Sequence, residues 1–572
     1  DKEVTVNGMN LTSVAAIDAG SSATDAITTT ELVNADLTAA DNGLTASGIN
    51  FTNVNSADLS QGQLTGTDTK DETFEISTAD KEVTVNGMNL TSVAAIDAGL
   101  SAGDAITTTE SVNAELTGTN NELTASGINF SAINNADLSN GVLSGSDNAD
   151  TFELSGASLL ANNILFSAIN SLIDAKGGDD HVTGETGTDW SLTEDNKQLS
   201  STNFRFQNIE TADLVNGSLV GSDTTSETFE ISTTDNQVAV NGMNLTSVAA
   251  IDAGSSATDA ITTTELVNAD LTAADNGLTA SGINFTNVNS ADLSQGQLTG
   301  SDTDNETFEI STTANQVAVN GMNLTSVAAI NAGSSTGDEI TTTESVNADL
   351  TAENNALTAS SINFTNVNSA DLSQGQLSGT DTKDETFEIS TAANQVAVNG
   401  MNLTAVGSID AGSSIGDGIT TTELVNADLT AENNALTASG IDFTQVNSAD
   451  LSQGKLTGTD ADSETFEIST ADKEVTVNSM SLTSVGAIDA GSSAADAITT
   501  TELVNADLTV ENNALTASGI DFTQVNSADL SQGKLTGTDA DSETFEISTA
   551  ANQVAVNGMN LTSVAAIDAG SS

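Results

Sequence analysis

Apolar and polar residues alternate in short runs along the chain, as in VTV at 4–6 and INF at 49–51. Equivalent runs keep their apolar residues and vary the residue between them, so VTV at 83–85 becomes VAV at 238–240. A period of two places successive side chains on opposite faces of a strand. Gly, Asn, Asp and Ser lie between the runs, where turns are expected. The pattern predicts an all-β protein of short strands with little helix.

One sequence unit returns along the whole chain. The stretch NGMNLTSVAAIDAG begins at Asn7, Asn86, Asn241 and Asn557, and near-copies fill most of the intervals at a spacing of 79 residues. A fixed period from end to end indicates a repeat architecture. We predict one continuous array over 1–572, made of the repeats 1–79, 80–158, 159–234 (divergent and slightly shorter), 235–313, 314–392, 393–471, 472–550 and 551–572 (partial).

Each repeat also has an internal echo. Its two halves align at an offset of about 40 residues, and triplets with an acid between two apolar residues recur about every 20 residues. Such short strands and frequent turns are typical of a stack of coils, in which each coil covers the apolar residues of the last. We therefore predict a parallel β-solenoid (β-helix) with coils of about 20 residues, four per repeat.

A string of immunoglobulin-like β-sandwiches is the alternative, because 79 residues is close to the size of one such domain. A sandwich core needs bulky side chains, whereas the chain has one Trp and no Tyr. Internal fourfold repetition is also foreign to that fold. The solenoid is the favoured prediction.

The charge of the chain is strongly one-sided. There are 81 acidic and 10 basic residues and a formal net charge of −71. This charge argues against nucleic acid as a partner and favours divalent cations. The sequence contains no run of 18 apolar residues, so we expect no membrane insertion. It also lacks Cys, which leaves a long array to be stabilised by packing and backbone hydrogen bonds.

The in-strand acids of one repeat are predicted to face outward, because each lies between two apolar residues that face inward. They are Asp18, Asp36, Asp58 and Glu75. Coils stacked in register would place such acids ~4.8 Å apart, where each neighbouring pair costs ~0.9 kcal/mol in water before screening. We expect either an acidic ladder relieved by divalent cations or carboxylates screened by salt alone.

A second group of acids recurs in glycine-containing turns, as in GTDTKDETFE from Gly66, GSDNADTFEL from Gly145 and KGGDDHVTG from Lys176. Several carboxylate oxygens near a turn suit Ca²⁺, which takes six to eight oxygen ligands. Ordinary turn chemistry explains the same residues without a metal. No cofactor is required, calcium is a candidate ligand, and the candidate metal ligands are Asp68, Asp71, Asp147, Asp150, Asp179 and Asp180.

The stretches GSDNADTF and KGGDDHVTG resemble the Gly-Asp-rich calcium turns of the giant repetitive adhesins and matrix proteins that bacteria export by type I secretion, including proteins of the repeat-in-toxin kind. The resemblance covers a few dozen residues, and tandem Gly-Gly-x-Gly-x-Asp nonapeptides are missing. It implies an extracellular or cell-surface location and folding that depends on calcium.

The sequence contains no combination of residues typical of catalysis, so we do not expect an enzyme. The leading hypothesis is a structural extracellular protein, an acidic rod forming the shaft of a surface adhesin or a fibre of a biofilm or extracellular matrix. The alternative is a ligand-binding adhesin region with calcium-dependent folding or assembly. Self-association, end to end or lateral, is expected because terminal coils offer open strand edges.

Overall fold

The computed structural model describes residues 2–193, 195–540 and 542–571. Within these ranges the secondary structure consists of short strands and turns, and none of it is helix suited to crossing a membrane. Strands pair in parallel with strands of the next coil, which makes the chain a β-solenoid, as predicted. The chain divides into unit 1, Asp1–Glu265 with Asn276–Ala291, and unit 2, Leu266–Asp275 with Asp292–Ser572.

In unit 2 the strands form two hydrogen-bonded columns, and each repeat adds five strands to each column. Column A contains Thr386–Ile389, Val396–Val398, Met401–Thr404, Gly418–Thr420 and Ser448–Asp450. Column B contains Ser408–Asp410, Ala427–Leu429, Leu436–Ala438, Ile441–Thr444 and Lys455–Thr457. Equivalent strands recur in the next repeat, from Thr465–Ile468 to Lys534–Thr536.

The coils are longer than predicted. Ala427 pairs in parallel with Leu456 on the next coil, and Ser408 pairs in the same way with Asp442. Both sequence separations are far greater than the predicted coil length. The prediction of 20-residue coils, four per repeat, is therefore wrong, although the solenoid fold is correct. The difference arises because the coils also contain antiparallel strands.

These antiparallel strands form a three-stranded meander in each half of the repeat. In column A, Thr386–Ile389, Val396–Val398 and Met401–Thr404 pair in antiparallel fashion. The last two strands are joined by Asn399 and Gly400, whose φ angles of 49° and 83° suit a two-residue hairpin turn. The second meander lies in column B, so the echo of about 40 residues marks two meanders on alternate columns.

The apolar core lies between the two columns. Phe387 of column A and Phe443 of column B are both at most 1% exposed, and their ring centroids are 6.1 Å apart at an interplanar angle of 63°. This edge contact recurs in unit 2 between Phe308 and Phe364. Each repeat therefore adds an equivalent aromatic contact to the core.

Unit 1 winds in the same way, and several of its strands continue through a bulge from one column to the other. Its second repeat includes Val83–Val85, Met88–Asp97, Ala105–Thr108, Ala114–Leu116, Leu123–Ala125, Ile128–Ser131, Asn135–Ser144 and Thr151–Ser155. The divergent repeat contains Ser158–Ala161, Ile164–Asp174, His181–Thr183, Asp189–Leu192, Gln198–Ser200, Arg205–Gln207, Thr211–Val220 and Thr228–Ile231. The divergent repeat thus keeps the same fold.

Candidate functional site

The solenoid encloses pairs of carboxyl groups, each contributed by two successive coils. We call them acid pairs. They are Glu72–Asp104, Asp150–Asp180 and Glu227–Asp259 in unit 1, and Glu306–Asp338, Glu385–Asp417 and Glu464–Asp496 in unit 2. All twelve side chains are at most 2% exposed. Acidic side chains are almost never buried to this extent without a compensating partner.

The geometry is the same in all six acid pairs. The backbone N–H of the first residue donates a hydrogen bond of 2.7–3.0 Å to Oδ1 of the aspartate on the next coil. The second oxygen of that aspartate, Oδ2, is buried and has no hydrogen-bond partner among the residues that the structure describes. Because a buried polar atom without a hydrogen-bond partner is costly, each acid pair lacks a donor for this oxygen.

The first acid of a pair also organises the turn that precedes it. At Glu385, Oε2 accepts the N–H of Thr380 at 3.2 Å and Oε1 accepts the Thr380 hydroxyl at 2.7 Å. Glu72 accepts the same two bonds from Thr67, at 3.2 and 2.7 Å. The predicted calcium turn from Gly66 is therefore held by hydrogen bonds to the buried Glu72, and in the turn from Gly145 the Ser146 N–H and hydroxyl bind Oδ2 of the buried Asp150.

Burial raises the pKa of the acids in these pairs. It raises the pKa of Asp104 and of Asp417 to about 6 and that of Asp180 to about 7, and in each case the negative charge of the paired acid adds to the effect. Burial is also the main cause of the raised pKa of Glu227, Asp259, Glu306 and Glu464. The environment thus favours the protonated form of these carboxyl groups.

The divergent repeat carries a third carboxylate in this position. The N–H of Asp180 donates to Oε2 of Glu210 at 3.0 Å, whereas the equivalent Asp259 N–H donates to the amide oxygen of Asn289 at 2.9 Å. Lys197 Nζ lies 2.6 Å from Oε1 of Glu210 and forms a salt bridge with it. The added negative charge is therefore accompanied by a positive one.

The six predicted metal ligands are only partly brought together. Asp150 and Asp180 form an acid pair. The other four are exposed in turns: Asp68, Asp71, Asp147 and Asp179. Among the described residues, no group of three or more His, Cys, Asp or Glu side chains is placed to hold a metal ion. Calcium binding stays a prediction.

The in-strand acids lie on the outer surface, but they do not stack on one another. Asp18, Asp36 and Glu75 are exposed and Asp58 is half-buried. Glu75 pairs with Thr84 on one neighbouring strand and Thr107 on the other. Asp18 likewise pairs with Thr52, and Asp58 pairs with Thr91. Asp36 pairs with Thr45 on one side and Thr65 on the other. An intervening threonine widens carboxylate spacing to ~9.6 Å, where repulsion falls to ~0.4 kcal/mol in water before screening.

Ten of the twelve acids in the acid pairs were not among the predicted site residues. The signal that could have found them is their spacing, because each lies two residues before a buried apolar residue, as Glu72 precedes Phe74. Residues two apart in a strand share a face. The comparison with known protein families gives no match for this chain, and the comparison with curated proteins gives none either.

Proposed function

We propose that the chain is a structural, extracellular protein that forms part of the shaft of a surface adhesin, or of a fibre in a biofilm or extracellular matrix. The observation that supports this proposal is the parallel pairing of strands from one coil to the next, such as Thr386–Ile389 with Gly418–Thr420. Each repeat adds the same strands to both columns and the same side chains to the surface. Such a chain gains length and a uniform surface with each repeat.

The surface chemistry suits a solvated structural element that associates with cations and with copies of itself. Outward positions carry acids and threonines, and the net charge of −71 is distributed through the repeats. Divalent cations would lower the repulsion between such surfaces and so permit lateral association. We propose no nucleic-acid partner and no catalytic role.

Removal of one repeat tests the structural proposal. Five strands per column at ~4.8 Å give ~24 Å of rise per repeat. Deletion of residues 393–471 keeps the sequence phase, and we expect it to shorten the longest dimension of the particle by ~24 Å in small-angle X-ray scattering. An unchanged dimension would contradict a solenoid whose repeats add length. Antibody labelling of intact cells of the source organism tests the surface location separately.

The alternative function, ligand binding by the divergent repeat 159–234, has one observation in its favour. A concavity of about 360 Å³, open to solvent, lies against Leu192, Thr193, Asp195, Ser200, Arg205 and Ser222. Arg205 is the only arginine of the chain. We expect replacement of 159–234 by residues 80–158 to leave adhesion unchanged if the chain is structural. Loss of adhesion with retained folding would instead assign binding to the divergent repeat.

A further inference from the structure

Two acid pairs of unit 2, Glu306–Asp338 and Glu464–Asp496, bring acceptor oxygens together without a donor. Oε2 of Glu306 and Oδ2 of Asp338 are both buried and have no hydrogen-bond partner among the described residues, although the two carboxyl groups lie within hydrogen-bonding reach of each other. The same holds for Oε2 of Glu464 and Oδ2 of Asp496. Two ionised carboxylates are acceptors only, so neither can satisfy the other.

The remaining oxygens of these acids are already used. Oε1 of Glu306 accepts the N–H of Ser301 at 3.1 Å. Oδ1 of Asp338 accepts the N–H of Glu306 at 3.0 Å and the hydroxyl of Ser335 at 3.1 Å. These donors bind Oε1 of Glu306 and Oδ1 of Asp338, and they give no hydrogen bond to the two orphan oxygens of the pair.

The charged groups that act on these pairs are negative. Asp338 and Asp304 act on Glu306, and Asp496 acts on Glu464. Because the charged groups that act on these acids in the described part of the chain are negative, two adjacent ionised carboxylates would face both desolvation and mutual repulsion.

We propose that the acid pairs Glu306–Asp338 and Glu464–Asp496 each hold one proton shared between their two carboxyl groups, and that these protons link successive coils. One proton turns one carboxyl into an O–H donor and leaves the other as its acceptor, which satisfies both orphan oxygens. Each pair then carries a single negative charge. Loss of the proton breaks the link between the two coils.

The direction of the pH dependence follows from the raised pKa of Glu306 and Glu464. A carboxyl whose folded pKa exceeds its unfolded value, about 4 for Asp and Glu, binds more protons in the folded state. Its stabilising contribution is complete below the unfolded pKa and is lost as the pH rises through the folded pKa. Stability from these acid pairs therefore falls between about pH 4, near the unfolded pKa, and about pH 7, the folded pKa of Glu306.

Glutamine at the first position of each pair imitates the protonated acid, because its amide donates to the aspartate and its carbonyl still accepts the turn N–H. The test variant is Glu306→Gln with Glu464→Gln. The control variant is Glu309→Gln with Glu467→Gln, whose glutamates are exposed three residues further on. Both variants remove two negative charges, so changes in general repulsion are matched.

We expect the melting temperature of the full chain, measured with a chelator present, to fall less between about pH 4 and about pH 7 in the test variant than in the control. Infrared difference spectra should also show protonated carboxyl groups in the wild-type chain at neutral pH, with fewer in the test variant. Equal pH dependence in both variants, or no protonated carboxyl band, would overturn the proposal. The proposal would also be overturned if Ca²⁺ raised the melting temperature of the wild type at about pH 8 but not that of the test variant, because the pairs would then hold a metal ion.

Discussion

Substitution Phe387→Ala is expected to lower the free energy of local unfolding by about 3–5 kcal/mol. The Phe387 side chain is fully buried, and its ring packs edge-on against Phe443 of the opposite column. Alanine would remove this contact and leave a cavity between two columns whose backbones are fixed by parallel hydrogen bonds on one side and antiparallel ones on the other. Neighbouring coils therefore have little freedom to collapse into the space.

Hydrogen exchange of the amides in Thr386–Ile389 and Gly418–Thr420 measures this local free energy without requiring the whole array to unfold at once. Thr386→Ala is the matched control, because Thr386 is exposed beside Phe387 and should change stability by less than about 0.5 kcal/mol. Comparable losses in the two variants would contradict a core lying between the columns.

Strand alternation was the most informative feature of the sequence. It predicted an all-β solenoid because apolar residues at a period of two, repeated in every unit, can be buried only by equivalent strands above and below. The pattern of strand Thr386–Ile389, in which Phe387 and Ile389 are buried between exposed residues, has this form. Side-chain alternation does not determine strand direction, which is why the meanders were missed.

The missed signal was the Asn-Gly step at the start of the repeated stretch. Asn399 and Gly400 both adopt positive φ angles, and an Asn-Gly pair between alternating apolar residues is a strong indication of a hairpin. The weaker Ser439-Gly440 step makes the corresponding turn in the second meander. Read as hairpins, these steps would have predicted antiparallel strands and longer coils.

The acid pairs could be predicted only in part. Glu306 and Asp338 each lie two residues before a buried Phe or Ile, and this spacing indicates that both side chains face inward. Their meeting depends on the 32 residues that separate them matching one coil, which the predicted 20-residue coil did not allow. The inward direction of each side chain could therefore be predicted, but the pairing of the two acids could not, because the predicted coil length was incorrect.

Some glycines lie so close to the backbone of an adjacent coil that they require a close spacing between the coils. A Cβ atom added to Gly454 would lie 1.8 Å from the carbonyl oxygen and 2.6 Å from the carbonyl carbon of Val425, on an adjacent coil. Gly375 and Gly533 meet Val346 and Val504 in the same way, at 1.9 and 1.8 Å. These contacts are with backbone atoms, so a rotamer change cannot relieve them. One coil would have to move away from the next.

We therefore expect Gly454→Ala to destabilise unit 2 by at least the upper part of the ~1–3 kcal/mol range that is typical of overpacked sites. Gly400→Ala is the comparison, because Gly400 has a φ of 83° and the three atoms nearest to its added Cβ all belong to the Asn355 side chain, the nearest at 2.8 Å. In Gly400→Ala the left-handed backbone strain costs about 1–2 kcal/mol, and the clash can be relieved by movement of the Asn355 side chain. Urea denaturation of both full-length variants measures the difference. A smaller loss for Gly454→Ala than for Gly400→Ala would mean that the coils are not held at the close spacing on which the acid pairs depend.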